Sequence, residues 1–324
     1  MSRAREFGNK LYSGERSFNF VARRKTWYII GAVAIIFALL LPVARGGYNF
    51  GIEFRGGSEF RLTNSQELSH QLAVDVVREI SPGSQVNVTK VGLADIRIQT
   101  EQLEDVESER ARLALAEAYG VADEAVASSF IGPNWGADVT SQAITGLVVF
   151  LILVSLLMAV YFRSWKMSVS ALLALAHDLI LTAGIYAGVG FEITPAAVIG
   201  FLTILSYSLY DTVVVFDKVR ENTLEIEYSD TRTFGEMVNL AINQTLIRSI
   251  NTSVVAVLPV GSILFVGSLL LGAGTLRDIA LALFVGTIVG TYSSIFLAAP
   301  IYAHLRESEP TIKKAADKVA ANRA

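Results

Sequence analysis

The chain of 324 residues contains no cysteine. This absence excludes disulfide bonds, thiolate nucleophiles and cysteine-ligated metals, so any domain outside a membrane has to be held together by its own core. Histidine is nearly as scarce, since His70, His177 and His304 are the only three and they lie far apart in the sequence. We therefore expect neither a metal site nor a bound cofactor.

Charged residues are also few. They make up 18% of the chain, whereas 52% is hydrophobic and the mean hydropathy is +0.47. A soluble protein does not need so large an apolar fraction for its core, and the composition therefore indicates a membrane protein in contact with the lipid bilayer. The formal net charge is -3, and the Lys and Arg residues cluster at the ends of apolar segments. This distribution argues against a nucleic-acid partner.

Apolar segments long enough to cross a bilayer occur six times. A helix needs about 20 such residues to cross about 30 Å of hydrocarbon. The segments run from Trp27 to Val43, Ala143 to Tyr161, Val169 to Val189, Thr194 to Phe216, Val254 to Leu271 and Ile279 to Tyr302. The sequence therefore predicts an all-α membrane bundle of six helices. Glycines four residues apart in the third and sixth segments predict close helix packing there, at Gly184 and Gly188 and at Gly286 and Gly290.

The basic residues predict the orientation of these helices, because short loops rich in Lys and Arg stay in the cytoplasm. Such residues precede the first segment, follow the sixth, and occupy the loops after the second and fourth, whereas the loops at 190–193 and 272–275 have none. Both termini are therefore expected in the cytoplasm. The predicted division is a cytoplasmic segment 1–26, a first helix 27–44, an extracytoplasmic domain 45–140, five further helices within 141–302, and a cytoplasmic tail 303–324.

An alternative interpretation of the first segment is a cleaved signal peptide. This segment is the shortest of the six, and Pro42 lies near its end. The long basic leader and the lack of a clean small-residue cleavage site favour a retained helix instead.

Residues 45–140 show short alternating and amphipathic patterns in place of long apolar segments. Alternation at Tyr48, Phe50, Ile52 and Phe54, continued at Phe60 and Leu62 after Gly56 and Gly57, predicts a first strand. Helices are predicted over 68–80 and 103–120, and further strands at 86–88 and 96–98, joined through Gly92, and at 125–131. The order β-α-β-β-α-β is typical of a ferredoxin-like domain. We expect an extracytoplasmic α+β domain of this type between helices 1 and 2, serving as a binding or spacer module.

Three ionisable residues fall where water is scarce. Asp178 lies in the third segment, Asp211 in the fourth, and Arg248 just before the fifth. A charge at the bilayer centre costs about 3 kcal/mol, so these side chains are expected to face the bundle interior and to have a function. Tyr207 precedes Asp211 by one helical turn and Thr252 follows Arg248 by one turn, so each extends a polar helix face. A carboxylate that alternates between an Arg partner and solvent gains and loses a proton, whereas a static Asp211–Arg248 ion pair is the alternative.

Four stretches of the chain resemble the SecF family, whose members pair with SecD beside the bacterial Sec translocon. They are GIEFRGG at 51–57, YSLYDTVVVFDKVREN at 207–222, NQTLIRSINTS at 243–253 and GAGTLRD at 272–278. The chain departs from the family pattern at Tyr210, where Asn is usual, and at Glu53 and Arg55, where Asp and Thr are common. The resemblance extends over nearly the whole chain.

The resemblance implies a half-transporter of the resistance-nodulation-division superfamily in the bacterial cytoplasmic membrane. It would work with a SecD-like subunit and the Sec translocon channel to draw exported, unfolded polypeptides outward at the expense of the proton gradient, and it would not be an enzyme. The resemblance also implies proton-transport roles for Asp211, Arg248 and Thr252. Asp178 and Tyr207 are added as weaker candidates because of their position within the membrane.

Two other functions remain as alternatives. One is a half-unit of a proton-driven small-molecule or lipid exporter of the same superfamily, although such exporters would favour larger external domains and twelve helices in one chain. The other is intramembrane aspartyl proteolysis, in which Asp178 and Asp211 would share a proton. The chain has no Gly-x-Gly-Asp string, and a nearby Arg would keep a carboxylate ionised, so this second alternative is disfavoured.

Overall fold

The computed structural model describes residues 3–63, 68–91, 94–224, 226, 231–267 and 274–323. In chain order its main elements are α1 (Arg3–Ser13), α2 (Arg24–Arg45), α3 (Ile52–Arg55), β1 (Gly57–Leu62), α4 (His70–Ile80), β2 (Asn87–Val91), β3 (Asp95–Thr100), α5 (Asp105–Tyr119), β4 (Val126–Ile131), α6 (Pro133–Phe162), α7 (Trp165–Val189), α8 (Pro195–Thr223), α9 (Phe234–Ser262), α10 (Gly274–Ser293), α11 (Ala299–Glu307) and α12 (Pro310–Arg323). Two π-helical segments, Ile263–Gly267 and Ser294–Ala298, continue α9 and join α10 to α11.

Six helical stretches among the described residues are long and apolar enough to cross a membrane, as predicted. They are α2, α6, α7, α8, α9 with its π-helical extension, and the continuous stretch formed by α10, its π segment and α11. Polar caps define where the central helices begin. The Thr194 hydroxyl accepts the Ala197 amide at 3.2 Å at the start of α8, and Thr233 and Glu236 form a reciprocal capping box at the start of α9.

The predicted bounds of two membrane helices were too short. Helix α9 begins at Phe234, well before the predicted start at Val254, and α6 begins at Pro133 inside the range assigned to the domain. Both early turns are polar, and a search for apolar segments therefore misses them although capping signals start the helices there. Arg248 consequently lies within α9 rather than ahead of it. The predicted end of the fifth segment at Leu271 lies outside the described residues.

The domain between α2 and α6 has the predicted order β-α-β-β-α-β. Its four strands form one sheet in the order β2-β3-β1-β4, and every neighbouring pair is antiparallel. Helices α4 and α5 pack together with the sheet around a core that includes Phe60, Ile98, Val77 and Leu115. The connection through Gly92 lies outside the described residues. We refer to this unit as the α+β domain.

The first half of the predicted first strand is wrong. Residues 52–55 form the short helix α3, and the strand begins only at Gly57. Just before this helix, the chain at Phe50 forms an isolated bridge with Ile193 in the α7–α8 loop. The Gly51 amide donates to the Ile193 carbonyl at 3.0 Å, and the Ile193 amide donates to the Asn49 carbonyl at 2.7 Å. These bonds dock the α+β domain onto the helical bundle.

Glycines allow the central membrane helices to approach closely, as their spacing predicts. A Cβ on Gly290 would lie 2.9 Å from the Cβ of Ser208, and a Cβ on Gly286 would overlap Ile204, so α10 packs directly on α8. Gly184 and Gly188 of α7 face α2 in the same way. Because α7, α8 and α10 are in close contact, polar side chains on them can meet away from lipid.

Candidate functional site

Asp211 lies on α8 at the centre of the bundle and is only 6% exposed. Its Oδ1 accepts a hydrogen bond from the Ser249 hydroxyl of α9 at 2.7 Å, and its Oδ2 accepts one from the Ser294 hydroxyl at 2.6 Å. Neutral hydroxyls from two neighbouring helices therefore hold this carboxylate. Hydrogen bonds to a charged group contribute about 1.5–3 kcal/mol each, so both links depend strongly on the ionisation of Asp211.

Asp178 of α7 is fully buried and has its own set of partners. Its Oδ2 accepts hydrogen bonds from Ser208 of α8 at 2.5 Å and from Ser293 of α10 at 2.8 Å, and its Oδ1 lies 3.2 Å from His177 Nδ1. His177 Nε2 is buried and has no hydrogen-bond partner among the described residues. Ser208 is close to Asp211 in sequence, but its hydroxyl binds Asp178.

The two carboxylates are linked through adjacent serines. Ser293 ends α10 and binds Asp178, whereas Ser294 begins the π-helical segment and binds Asp211. Consecutive residues of a helix point about 100° apart, so one helix can serve carboxylates on two different neighbours. The π-helical turn lies directly at this point, and such turns are frequent at functional sites. Movement of α10 is therefore coupled to both acids.

Arg248 and Asp211 are not paired. The prediction that Arg248 faces the bundle interior is wrong, because its guanidinium is exposed on α9. It forms no ion pair within the described ranges and donates from Nη2 to the Tyr210 hydroxyl at 3.4 Å. Ser249, the next residue along α9, contacts Asp211 in place of Arg248. Successive side chains on a helix point in different directions, so the two residues cannot both face Asp211. Thr252 is half-buried, and its hydroxyl donates to the Arg248 carbonyl at 2.8 Å.

Tyr207 lies beside this site without joining the hydrogen bonds of Asp211. Its hydroxyl is buried and lacks a hydrogen-bond partner among the residues described. Ser253 of α9 lies near this hydroxyl, and its own hydroxyl is 2.5 Å from that of Thr291 on α10. Tyr207, Ser253 and Thr291 thus extend the row of polar side chains around Asp211 along the contacts of α9 with α8 and α10. We call this row the polar seam.

A second polar cluster, which we call the domain–bundle joint, links the α+β domain to the α7–α8 loop. Glu192 of this loop accepts from Arg97 Nη1 at 2.8 Å and from Gln99 Nε2 at 2.6 Å, and Glu59 lies 3.9 Å from Arg97 Nε. Glu53 of α3 has a buried Oε2 with no hydrogen-bond partner in the described part of the chain. Burial, with the nearby charges of Glu192 and Glu59, raises the pKa of the Glu53 carboxyl above its usual value.

Sequence reasoning did not assign to either acid the serines that hold them, Ser208, Ser249, Ser293 and Ser294. Ser249, Ser293 and Ser294 are small hydroxyl residues inside otherwise apolar helices, and hydroxyls in membrane helices commonly bond across to a neighbour. The adjacent pair Ser293 and Ser294 was the available signal. Across the described residues, acidic and histidine side chains do not gather in groups of three or more that could hold a metal ion.

Comparison with known proteins places this geometry in a family. The family model "Protein export membrane protein SecD/SecF, C-terminal" matches residues 113–308, which is more than half of the chain. The protein translocase subunit SecF of Streptomyces coelicolor is 43% identical over 325 residues, covering 100% of this chain and 86% of the relative. The chain belongs to the SecF family. A second SecF, from Mycobacterium leprae, is 42% identical over 94% of this chain and 68% of its own length.

A solved structure agrees with this SecF membership. The crystal structure of SecDF from Thermus thermophilus, described as a translocon-associated membrane protein, superposes with a TM-score of 0.75 at 30% sequence identity. The match covers 90% of this chain and 39% of the SecDF chain. A SecDF structure in a super-membrane-facing form matches with a TM-score of 0.63, over 95% of this chain and 40% of that one. The SecF chain thus spans about two-fifths of the SecDF length.

Proposed function

We propose that this chain is a SecF-type subunit that uses the proton-motive force, together with a SecD-like subunit, to promote protein translocation through the Sec translocon. The observation that carries the proposal is the buried Asp211 carboxylate, held by hydroxyls from two other helices. Membership of the SecF family supports the role in translocation. Proton coupling is inferred from the chemistry of the site.

Protonation of Asp211 changes what its oxygens can do. An ionised carboxylate only accepts hydrogen bonds, whereas a protonated one must donate from one oxygen. The hydroxyl of Ser249 or Ser294 then has to turn or release, which weakens one link between α8 and its neighbours. Small changes of this kind are amplified when helices have two packed arrangements. One charge crossing about 100 mV provides about 2.3 kcal/mol, so a few protons could drive such a change.

Asp178, Tyr207, Arg248 and Thr252 have supporting roles in this proposal. Asp178 is bound by the serine next to that of Asp211, so it responds to the same movement of α10. Arg248 is free to attract a carboxylate from a partner, and Thr252 and Tyr207 border the polar seam through which a proton would pass. None of these roles requires an ion pair between Arg248 and Asp211 in the resting state.

An uncovered polar face supports a SecD-like partner. Ser206, Tyr210, Arg248 and Asn251 are exposed along α8 and α9, within helices long enough to span a membrane. An Arg facing lipid costs about 3 kcal/mol or more, so a second membrane subunit is expected to cover this face. In Thermus thermophilus, the protein named SecDF matches this chain over only 38% of its length. The remainder of that chain is long enough to include such a partner.

The proposed setting is the bacterial cytoplasmic membrane, with both termini in the cytoplasm. The α+β domain would then be extracytoplasmic and ferredoxin-like, which its antiparallel order β2-β3-β1-β4 and its β-α-β-β-α-β succession support. In this position it could contact exported, unfolded polypeptides as they leave the translocon. The domain–bundle joint would transmit helix movements to it.

The proposal is tested with Asp211→Asn in the complex with its SecD-like partner, reconstituted in vesicles with the Sec translocon. The amide keeps the size of the side chain but cannot ionise, so we expect normal assembly and loss of the stimulation of preprotein translocation by an imposed proton gradient. Asp217→Asn is the matched control, because Asp217 lies on the same helix but is exposed. Full stimulation by the Asp211 variant would refute proton coupling at this residue.

A further inference from the structure

An apolar groove lies between α6 and α7. Its volume is about 960 Å³, and its lining includes Leu156 of α6, Leu172 and Ala176 of α7, and Leu205 of α8. Two serines also line it, but both hydroxyls are used within the protein: Ser155 donates to the Leu151 carbonyl at 2.6 Å and Ser168 to the Ser155 carbonyl at 3.1 Å. The hydroxyls of both serines are thus occupied, and the groove offers a mainly apolar surface.

The groove lies within membrane-spanning helices and opens to the outside of the protein. Leu156 is 61% exposed, and Leu173 on the facing helix is 51% exposed. Only hydrocarbon or another apolar helix satisfies such a surface inside a bilayer. What distinguishes the two is the chemistry at the end of the groove.

A basic pocket of about 440 Å³ adjoins this end, at the turn between α6 and α7. Trp165 lines both the groove and the pocket. The pocket contains four basic side chains and one acidic side chain, namely Arg163, Lys166, Arg220, Arg306 and Glu309. The described side chains of the pocket thus carry a net positive charge where the apolar groove reaches the end of the membrane helices.

Only part of this positive charge is neutralised within the protein. Glu309 lies 2.8 Å from Lys166 and 3.4 Å from Arg306, so a single carboxylate serves both. Arg163 makes no ion pair among the described residues, and the side chain of Arg220 reaches only the carbonyl of Tyr161, at 3.4 Å. Arg163 and Arg220 therefore lack an acidic partner among the described residues, and the four basic side chains and Glu309 together carry a net charge of +3.

The backbone adds to the attraction for an anion. Helix α7 begins at Trp165, and the hydroxyl of Ser164 does not cap its first turn. The dipole of this helix therefore favours a negative group at this position. Arg163 is the one non-glycine residue with positive φ in the described chain, at +50°, and this conformation places it at the end of α6 beside the pocket.

We propose that the groove and the pocket together bind one anionic phospholipid, with its phosphate at Arg163 and Arg220 and an acyl chain between α6 and α7. Basic pockets between membrane helices recognise lipid head groups by this combination of charge and adjoining hydrocarbon. A partner helix would fill the groove and leave the pocket empty, whereas a free phosphate would fill the pocket and leave the groove empty. An anionic lipid satisfies both.

The pocket is tested by native mass spectrometry of the full-length chain in complex with its partner subunit, with phosphatidylglycerol or phosphatidylcholine added in detergent. Replacing both Arg163→Gln and Arg220→Gln should weaken phosphatidylglycerol retention about 30-fold, which corresponds to about 1 kcal/mol for each basic residue, and leave phosphatidylcholine unchanged. The control carries Arg23→Gln and Lys25→Gln, two exposed basic residues ahead of α2 and at its start, and should retain the lipid. Equal retention by the test and control variants would overturn the proposal.

The groove is tested separately with Ala176→Phe, which fills it without changing any charge. Ala176 is exposed, so the larger side chain should not disturb the fold, and phosphatidylglycerol retention should fall. Ala32→Phe on the exposed side of α2 is the matched control. Retention unaffected by Ala176→Phe, or equal competition by glycerol phosphate lacking acyl chains, would show that no lipid chain occupies the groove and would refute the lipid assignment.

Discussion

The domain–bundle joint leads to a quantitative prediction for Glu192→Ala. The Arg97 side chain is 18% exposed and that of Glu192 is 9% exposed, so both charges are largely removed from water. Breaking a buried ion pair by removing one partner costs about 3–5 kcal/mol. Arg97 retains Glu59 at 3.9 Å, and removal of one acid also relieves its repulsion of Glu53, so we take the lower end of this range, about 3 kcal/mol.

This cost should appear as local opening of the joint. The amides of Gly51 and Ile193 form the backbone bonds that cross it, and opening must break both. A loss of about 3 kcal/mol predicts hydrogen exchange about 100-fold faster at these two amides, because each 1.4 kcal/mol changes an equilibrium tenfold. The measurement is hydrogen–deuterium exchange of the purified complex, followed for the peptides that contain these residues.

Two control variants separate this effect from general destabilisation. Glu192→Gln also removes the charge that pairs with Arg97 but keeps an oxygen acceptor, and a neutral hydrogen bond contributes about 1 kcal/mol, so exchange should still be about 30-fold faster than in the wild type. Glu117→Gln removes an exposed carboxylate on α5 and should change nothing at the joint. Exchange at Gly51 and Ile193 that stays at the wild-type rate in Glu192→Ala would refute the reasoning that this ion pair holds the domain on the bundle.

Three further predictions concern single side chains. Burial raises the pKa of the Glu53 carboxyl in the folded protein above its usual value of about 4.5. The free energy of unfolding should therefore fall as the pH rises above that value, because the folded state then has to bury a charge. Glu53→Gln should remove this loss and raise the thermal unfolding temperature at neutral pH. Gly286→Ala should lower the free energy of unfolding by about 1–3 kcal/mol, because the added methyl group would overlap Ile204 of α8. Gly146→Ala is the control and should be neutral or slightly stabilising, because no atom lies within 4 Å of the added methyl group. Equal effects of the two variants would contradict this account of the packing. Ser294→Ala removes one hydrogen bond to the Asp211 carboxylate, worth about 1.5–3 kcal/mol. It should reduce gradient-dependent translocation about tenfold or more and leave assembly of the complex intact. Unchanged stimulation by the gradient would show that Ser294 has no part in proton coupling.

Local patterns in the sequence determined most of the secondary structure. Apolar length predicted all six membrane helices, and the alternating and four-residue patterns predicted α4, α5 and strands β2 to β4. These predictions succeed because burial of a strand face or helix face, and the solvation cost of a polar group in lipid, act over a few consecutive residues. The same cost predicted that Asp178 and Asp211 are buried.

The partners of those residues were decided by tertiary structure alone. Ser294 reaches Asp211 from a position 83 residues away in the chain, and the choice between Ser293 and Ser294 depends on a π-helical turn that has no clear local signal. Residues 52–55 alternate like a strand but form a helix, and the chain just before them pairs with a loop that is distant in sequence. Arg248 points away from Asp211 since the rotation of α9 is set by packing on its neighbours. The sequence by itself determined that Asp178 and Asp211 leave water, and only the packed helices determined which side chains meet them and that Arg248 stays exposed.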